Sequence, residues 1–263
     1  MTRPPVYSFT SAITRRPGKN VTNGLRADDR GDPSFAGVDT EHAAYVTALR
    51  DAGVDVTVLP PLEDYPDSLF VEDPALVFTE GAILLRPGAA SRMGEAGEIK
   101  PVLQEKFDTV LDLPEPGHAD GGDILVTRDA VLIGLSARTD RQGAEGVIEA
   151  LARLGHKGRI VTTPRNVLHF KTDCSLLDEE IVLVTHRLAG TGMFGNLREV
   201  IVPSGEEPAA NALRVNETVF VGSDYPRTIE ILGNAGYNVT PLKTSEIGKI
   251  DAGLSCMSLR WWA

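Results

Sequence analysis

Cysteines, aromatic side chains, long apolar runs and basic clusters are all scarce in this sequence. Cys174 and Cys256 are the two cysteines among 263 residues. Two thiols cannot build a disulfide framework, and such usage fits a reducing compartment. No apolar run reaches the roughly 20 residues that span a bilayer. The first twenty residues hold no apolar signal core, and Arg15 and Arg16 run straight into Pro17 and Gly18. The expectation is a cytoplasmic protein without membrane contact. Positive charge is in deficit, with 26 Lys and Arg against 37 Asp and Glu, a net −11. Phosphate backbones need clustered Lys and Arg, which argues against a nucleic-acid partner. No C-x-x-C or H-x-x-x-H spacing occurs, so no dedicated metal site is expected. The remaining composition is globular, with 42% hydrophobic and 24% charged residues, enough for a sizeable core. The chain reads as one domain over residues 1–263.

What the chain does contain is repetition. Residues 73–86, 123–134, 175–185 and 211–222 share one pattern: apolar strand, short polar turn, second apolar strand. Their β-branched content and turns read as hairpins. After Gly134, residues 139–154 place Val147, Ile148, Leu151 and Leu154 on one helical face. Gly155 suits the end of that helix, and 159–162 follows as a strand. After Gly222 the same order recurs, with a helix over 225–235, Gly236, and a strand over 237–241. A helix over 41–52, Gly53 and a strand over 54–59 give the same ending early in the chain. The unit is strand, strand, helix, strand, about 50 residues long. Residues 253–260 open a fifth unit that the N-terminal segment completes. Five units without visible capping repeats point to a closed ring, an α/β fold of pseudo-fivefold symmetry.

In such a ring the entrances of equivalent strands converge on the axis. They carry Asp73, Asp120 with Asp123, Asp173 with Cys174, Asn211, and Cys256. Taken singly, turn capping explains such residues; together they outline a polar site. Cys256 follows a Gly-containing turn where a thiolate can be exposed, although a lone cysteine is commonly inert packing. Cys174 competes for that role, but Asp173 beside it opposes a thiolate by like-charge repulsion. His169 precedes a polar turn at another entrance, whereas His42, His118, His156 and His186 read as surface or helix residues. A cysteine and a histidine meeting on the axis form the pairing nucleophilic catalysis requires.

Asp64, Asp67, Glu72 and Asp73 cluster in the first unit. Carboxylates gathered at one point need a cation. In the absence of a metal pattern, a planar guanidinium is the natural partner. Arg92 and Arg138 follow the second strands of two units and could clamp one carboxylate, with free surface side chains as the plain alternative. Residues 190–195 match G-x-G-x-x-G, but the stretch after them is too short and too β-branched for the helix that a dinucleotide needs, so a loop is expected.

Five motifs occur in order: Pro66-Asp-Ser-x-Phe-Val-Glu-Asp73, Asp120-Gly-Gly-Asp123, Ser136-Ala-Arg-Thr139, Leu168-His-x-Lys171 and Lys249-Ile-Asp-x-Gly-x-Ser-Cys-x-Ser258. With these, the sequence resembles the dimethylarginine dimethylaminohydrolase family of the guanidine-modifying superfamily, from residue 25 to residue 259. The resemblance implies a five-bladed β/α-propeller. It implies Cys256 as nucleophile, His169 as general acid and base, and Asp120 as the third catalytic carboxylate. Some members carry Glu at the Asp120 position, so the shorter side chain here is expected to orient the histidine slightly differently. Asp67, Glu72 and Asp73 match substrate contacts, Arg92 and Arg138 the pair engaging the amino-acid end, and Ile250 a backbone contact. Leu25 matches a mobile lid, placed here within residues 15–32. The implied reaction is cofactor-free hydrolysis of Nω-methylated L-arginines to L-citrulline and dimethylamine or methylamine, through a covalent cysteine thiouronium. Arginine deiminase, an amidinotransferase and a non-catalytic arginine-binding protein are the alternatives. Exposed edges and the Trp261-Trp262 terminus are compatible with a homodimer.

Overall fold

The structure, a computed structural model, describes residues 4–27, 29–164 and 167–263. Asp28 of the expected lid and Asn166 ahead of His169 lie outside the described residues. In chain order the elements are β1 (Ser11–Arg15), α1 (Phe35–Asp51), β2 (Asp55–Leu59), β3 (Ala75–Phe78), β4 (Gly81–Leu84), α2 (Glu95–Lys106), β5 (Val110–Asp112), β6 (Ile124–Val126), β7 (Val131–Leu135), α3 (Arg141–Arg153), β8 (Gly158–Thr162), β9 (Cys174–Leu176), β10 (Ile181–Val184), β11 (Arg198–Ile201), β12 (Leu213–Val215), β13 (Thr218–Gly222), α4 (Pro226–Asn234), β14 (Asn238–Leu242) and β15 (Leu259–Trp261).

The strands form five three-stranded sheets: β3-β4-β5, β6-β7-β8, β9-β10-β11, β12-β13-β14 and β15-β1-β2. In each sheet the first pair is antiparallel and the second parallel. The fifth sheet joins the two ends of the chain, with Ala12 opposite Arg260, as the repeat predicts.

Five hydrophobic clusters join the sheets in turn. Ile13, Leu59, Ala75 and Leu84 link the fifth sheet to the first, and Leu76, Ile83, Ile124 and Ile133 link the first to the second. Leu132, Val161 and Val182 connect the second and third, and Leu183, Val219 and Val221 the third and fourth. Leu213, Phe220 and Val56 return to the fifth. A helix fills four of these slots, α1, α2, α3 and α4 contributing Leu49, Leu103, Leu151 and Leu232. Each fully buried leucine stabilises the fold by roughly 1.5–3 kcal/mol relative to exposure.

The third unit has no helix. Its crossover is residues 185–197, and Leu188, Met193 and Phe194 fill the slot instead. Phe194 stacks on Phe170 with ring centroids 5.8 Å apart. The G-x-G-x-x-G stretch is thus a wrapping loop leading into strand β11.

Helix boundaries follow local chemistry. Helix α1 begins at Phe35, ahead of the expected residue 41, because Ser34 caps it by accepting from Gly37 N at 3.1 Å. Asp140 caps α3 in the same way at 2.7 Å. Helix α2 escaped the sequence reading because Gly94, Gly97 and Pro101 interrupt its pattern, yet Ile99 and Leu103 bury one face. Two of the histidines read as surface or helix residues are buried, and His42 is a helix residue as read. His42 lies inside α1, where burial pushes its pKa down to about 4, and His156 packs on Phe78 and contacts Glu80. Trp261 is also interior, its ring tilted against Phe107 with centroids 5.0 Å apart, while Trp262 stays exposed.

Candidate active site

Short 3-10 turns precede four of the five first strands: Gly121–Asp123, Phe170–Thr172, Glu207–Ala210 and Ser255–Met257. Hydrogen bonds stitch the five entrances into a circuit. Gly121 N donates to Asp73 O at 3.1 Å and Gly122 N to Asp73 Oδ1 at 2.9 Å. Phe170 N donates to Asp123 Oδ1 at 2.8 Å. Asn211 Nδ2 donates to Lys171 O at 2.9 Å, and its Oδ1 accepts from Ser255 N at 3.0 Å. Glu72 N then donates to Cys256 O at 3.2 Å, returning to the first sheet.

The circuit brings the expected residues together. His169 Nε2 lies 2.9 Å from Asp120 Oδ2. Asp120 is wholly buried, and its Oδ1 accepts from Gly88 N at 2.7 Å. The aspartate therefore reaches the histidine despite its short side chain. The Gly-Gly pair makes this possible. A Cβ on Gly122 would lie 2.8 Å from the His169 ring, and one on Gly121 would collide with Glu72 O at 1.9 Å. Burial alone would push the His169 pKa down, but Asp73, Asp123 and Asp120 outweigh it and lift the value to about 9.

Cys256 sits half-buried in its turn. Burial, then Glu72 and Asp73, push its thiol up to about 12, with Lys171 pulling the other way. The resting group is a thiol. Cys174, the competitor, is fully buried in β9 with its pKa well above the usual range, first through burial and then through Asp173. It packs among Leu132, Phe170 and Val182, its Sγ donating to Phe170 O at 3.4 Å.

The acidic cluster contracts to three members, because Asp64 is exposed while Asp67, Glu72 and Asp73 are buried. Glu72 Oε1 pairs with Lys171 Nζ at 2.5 Å and Arg260 Nη2 at 3.2 Å, and its Oε2 accepts from Ser255 Oγ at 3.0 Å. Burial would raise the Asp73 carboxyl, but Arg92 and His169 hold it below its ordinary value. Burial lifts Asp67 above the usual range, against the pull of Arg92. Asp67 Oδ1 accepts from Leu25 N at 3.0 Å, so the proposed lid residue docks on it through its backbone. Ile250 is buried beneath, near Gly24.

The two arginines do not stand alike. Arg92 is buried, forked onto Glu95 at 2.7–3.2 Å, paired with Asp73, and donating to the carbonyls of Asp67 and Phe70. In this state it orients Asp73. Arg138 is half-exposed, and among the described residues its guanidinium forms no ion pair or hydrogen bond. Its backbone is fixed by Ser136 Oγ, which in turn donates to Asp123.

Asp73, Asp120 and His169 also offer ligand atoms within 4.8 Å of one another. All four carboxylate oxygens already accept, from Arg92, Gly122, Gly88 and His169, so the group reads as a hydrogen-bonded relay rather than a cation cage. A cavity of about 470 Å³ is lined by Ala27, Leu168, Asn211, Gly253 and Leu254. Lys171, Arg260 and Ser255 are the site residues to which sequence reasoning gave no role, whereas Asn211 belongs to the polar set it placed at the strand entrances. The signals for them were their position at or next to strand entrances and, for Lys171 and Ser255, their place inside two of the motifs.

A half-buried Cys and His and a buried Asp beside clustered carboxylates on a fivefold repeat define a class of guanidino-group enzymes. Residues 60–207 match the arginine deiminase family. The chain is 39% identical over 254 residues to the N(G),N(G)-dimethylarginine dimethylaminohydrolase of Pseudomonas aeruginosa, covering 96% of this chain and 100% of that protein. It is 30% identical to the Streptomyces coelicolor protein of the same name, covering 95% and 96%. A cysteine-to-serine mutant of the Pseudomonas aeruginosa protein, solved with citrulline, superposes with a TM-score of 0.93 over 97% of this chain and 100% of that one. A dimethylarginine dimethylaminohydrolase adduct with S-methyl-L-thiocitrulline matches at 39% identity and a TM-score of 0.93, covering 96% and 99%. The chain belongs to the dimethylarginine dimethylaminohydrolase family.

Proposed function

We propose that the protein hydrolyses Nω-methylated L-arginines to L-citrulline and dimethylamine or methylamine. The observation that carries this reading is the convergence of Cys256, His169 and Asp120 beside Asp67, Glu72 and Asp73. Its relatives carry the dimethylarginine dimethylaminohydrolase name, and one was solved with citrulline.

Asp73, Glu72 and Asp120 receive the substrate guanidinium, and Asp67 and the Ile250 backbone line its path. A cation against Glu72 and Asp73 removes the charges that disfavour the Cys256 thiolate, so the thiol gives its proton to water once substrate binds. The thiolate attacks the central guanidinium carbon. His169, protonated and with Nε2 held by Asp120, delivers a proton from Nδ1 to the departing methylated amine. An S-alkylthiouronium on Cys256 results. Neutral His169 then takes a proton from water, whose oxygen adds to the thiouronium carbon; citrulline leaves and the thiol is restored. No step requires a cofactor or metal. Arg138 meets the amino-acid carboxylate, joined by Arg92 if substrate draws it from Asp73. Leu25 closes over the substrate from Asp67.

The five sheets, the five inter-sheet clusters and the closed circuit of hydrogen bonds support a five-bladed β/α-propeller forming one catalytic domain over residues 1–263. Arginine deiminase is the nearest rival. Among the described residues all four α-helices are accounted for by repeating units, leaving no extra helical insertion of the kind expected of deiminases. No helix among the described residues is long and apolar enough to cross a membrane. The free thiols support a cytoplasmic setting. Assaying citrulline together with dimethylamine, methylamine or ammonia across arginine, monomethylarginine and asymmetric dimethylarginine tests this function. Release of methylated amines supports it; ammonia from arginine alone favours the deiminase.

A further inference from the structure

Behind the active site lies a cavity of about 660 Å³ that the chemistry above does not use. Its walls come from the first strands of all five sheets, with Leu76, Leu125, Leu176 and Leu213 among them, and Trp262 at its edge. Residues 4–9 form one side, where Tyr7 lies 3.9 Å beneath the Arg214 guanidinium. The volume and the mostly apolar lining fall in the range of small-molecule sites.

The polar end of this cavity is the back of the active-site wall. Glu72, Lys171, Ser255, Ser258 and Arg260 all border it. Lys171 and Arg260 converge on one oxygen of Glu72, so this end carries an excess positive charge. Arg260 Nε is buried without a partner among the described residues, and so is Ser175 Oγ on β9, itself 92% buried. Orphaned donors in a buried, cationic corner match an anion that brings its own apolar body.

We propose that this cavity binds a small amphiphilic carboxylate, its head on Arg260 and its chain along the five strands. Arg260 also holds the nucleophile's turn, donating from Nη1 to Ser255 O at 3.1 Å and Ser258 O at 2.7 Å. A carboxylate on Arg260 competes with Glu72 for the guanidinium, so occupancy acts through the wall on the residue that receives substrate. The linkage is reciprocal: a carboxylate that draws Arg260 off frees Glu72 for the substrate cation, so the two ligands strengthen each other without sharing a site. This effect on turnover rests on the function proposed above; binding itself does not.

Octanoate is the probe, with octanamide as its uncharged counterpart and acetate as the head alone. Calorimetric titration of the full chain is expected to show octanoate binding at one site, at least tenfold tighter than either control. The cavity-filling variants Leu213→Trp and Leu176→Trp, on separate sheets, are expected to lose octanoate binding while at least one keeps its fold and its citrulline production. Octanoate is further expected to lower KM for substrate to a finite limit, reached as the carboxylate site fills. No saturable binding, equal binding of octanamide, or octanoate binding unchanged in a folded filling variant overturns the site. An unchanged KM, or a KM that rises without limit in proportion to octanoate as for a shared site, overturns the coupling through Arg260.

Discussion

His169 Nε2 lies 2.9 Å from Asp120 Oδ2, and that contact ties the second sheet's entrance to the third's. It fixes the imidazole and, with Asp73 and Asp123, holds its pKa at about 9. Replacing Asp120 by Asn lowers that value. In kinetics, the alkaline limb of kcat/KM moves to lower pH and kcat falls about a hundredfold or more. An unmoved alkaline limb would contradict His169 as the acid.

The same shift has a consequence for stability. Unfolded histidine titrates at about 6.5, so His169 contributes stability that is fully present below pH 6.5 and lost as pH rises through 9. The stake is at most about 3 kcal/mol. Urea midpoints are expected to decline between pH 6.5 and 9 in the native protein and to flatten in Asp120→Asn.

Cys256, pushed up to about 12, is a thiol at neutral pH. Iodoacetamide labelling of the free protein is expected to be slow at pH 7 and to climb through pH 10 without a plateau, since the thiolate is the reacting form. Peptide mass spectrometry should place the label on Cys256 and leave buried Cys174 unmodified. A plateau near pH 7 would show a preformed thiolate instead.

The unlike settings of the two arginines separate their variants. Arg138→Ala is expected to raise KM for substrate tenfold or more with kcat little changed, through loss of a charge-assisted contact. Arg92→Ala strands Glu95 and Asp73 without their buried cation and is expected to cost about 3–5 kcal/mol of stability. Chemical denaturation beside steady-state kinetics distinguishes the two outcomes.

Gly122→Ala would push a methyl to 2.8 Å from the His169 ring and 2.9 Å from Asp73 Oδ1. A displacement of that kind at the reacting groups is expected to cost about a hundredfold in kcat. Gly121→Ala, whose Cβ meets Glu72 O, is expected to affect folding as well, read as a lowered urea midpoint.

Much of this architecture was legible because the repeat is written in local patterns. Hairpins such as residues 124–126 with 131–135 are two short apolar runs split by a polar turn, and α3 carries both its cap and its apolar face. Helix α2 was not legible, because Pro101 and two glycines hide a helix that tertiary burial of Ile99 and Leu103 supports. The missing third helix was equally hidden, since only the packed structure shows Phe194 filling its slot. At the site, Cys256, His169 and Asp120 stood out as polar residues at strand entrances. Arg260 and Lys171 did not, because their meaning lies in meeting Glu72, separated from them by 188 and 99 positions in the chain.

The account stands most directly on covalent chemistry at Cys256. Acid-quenched turnover of asymmetric dimethylarginine, followed by peptide mass spectrometry, measures it. The predicted result is a transient thiouronium adduct on the Cys256 peptide, formed as dimethylamine is released and absent from Cys256→Ser, which makes no citrulline. Citrulline production by Cys256→Ser at the native rate would contradict it.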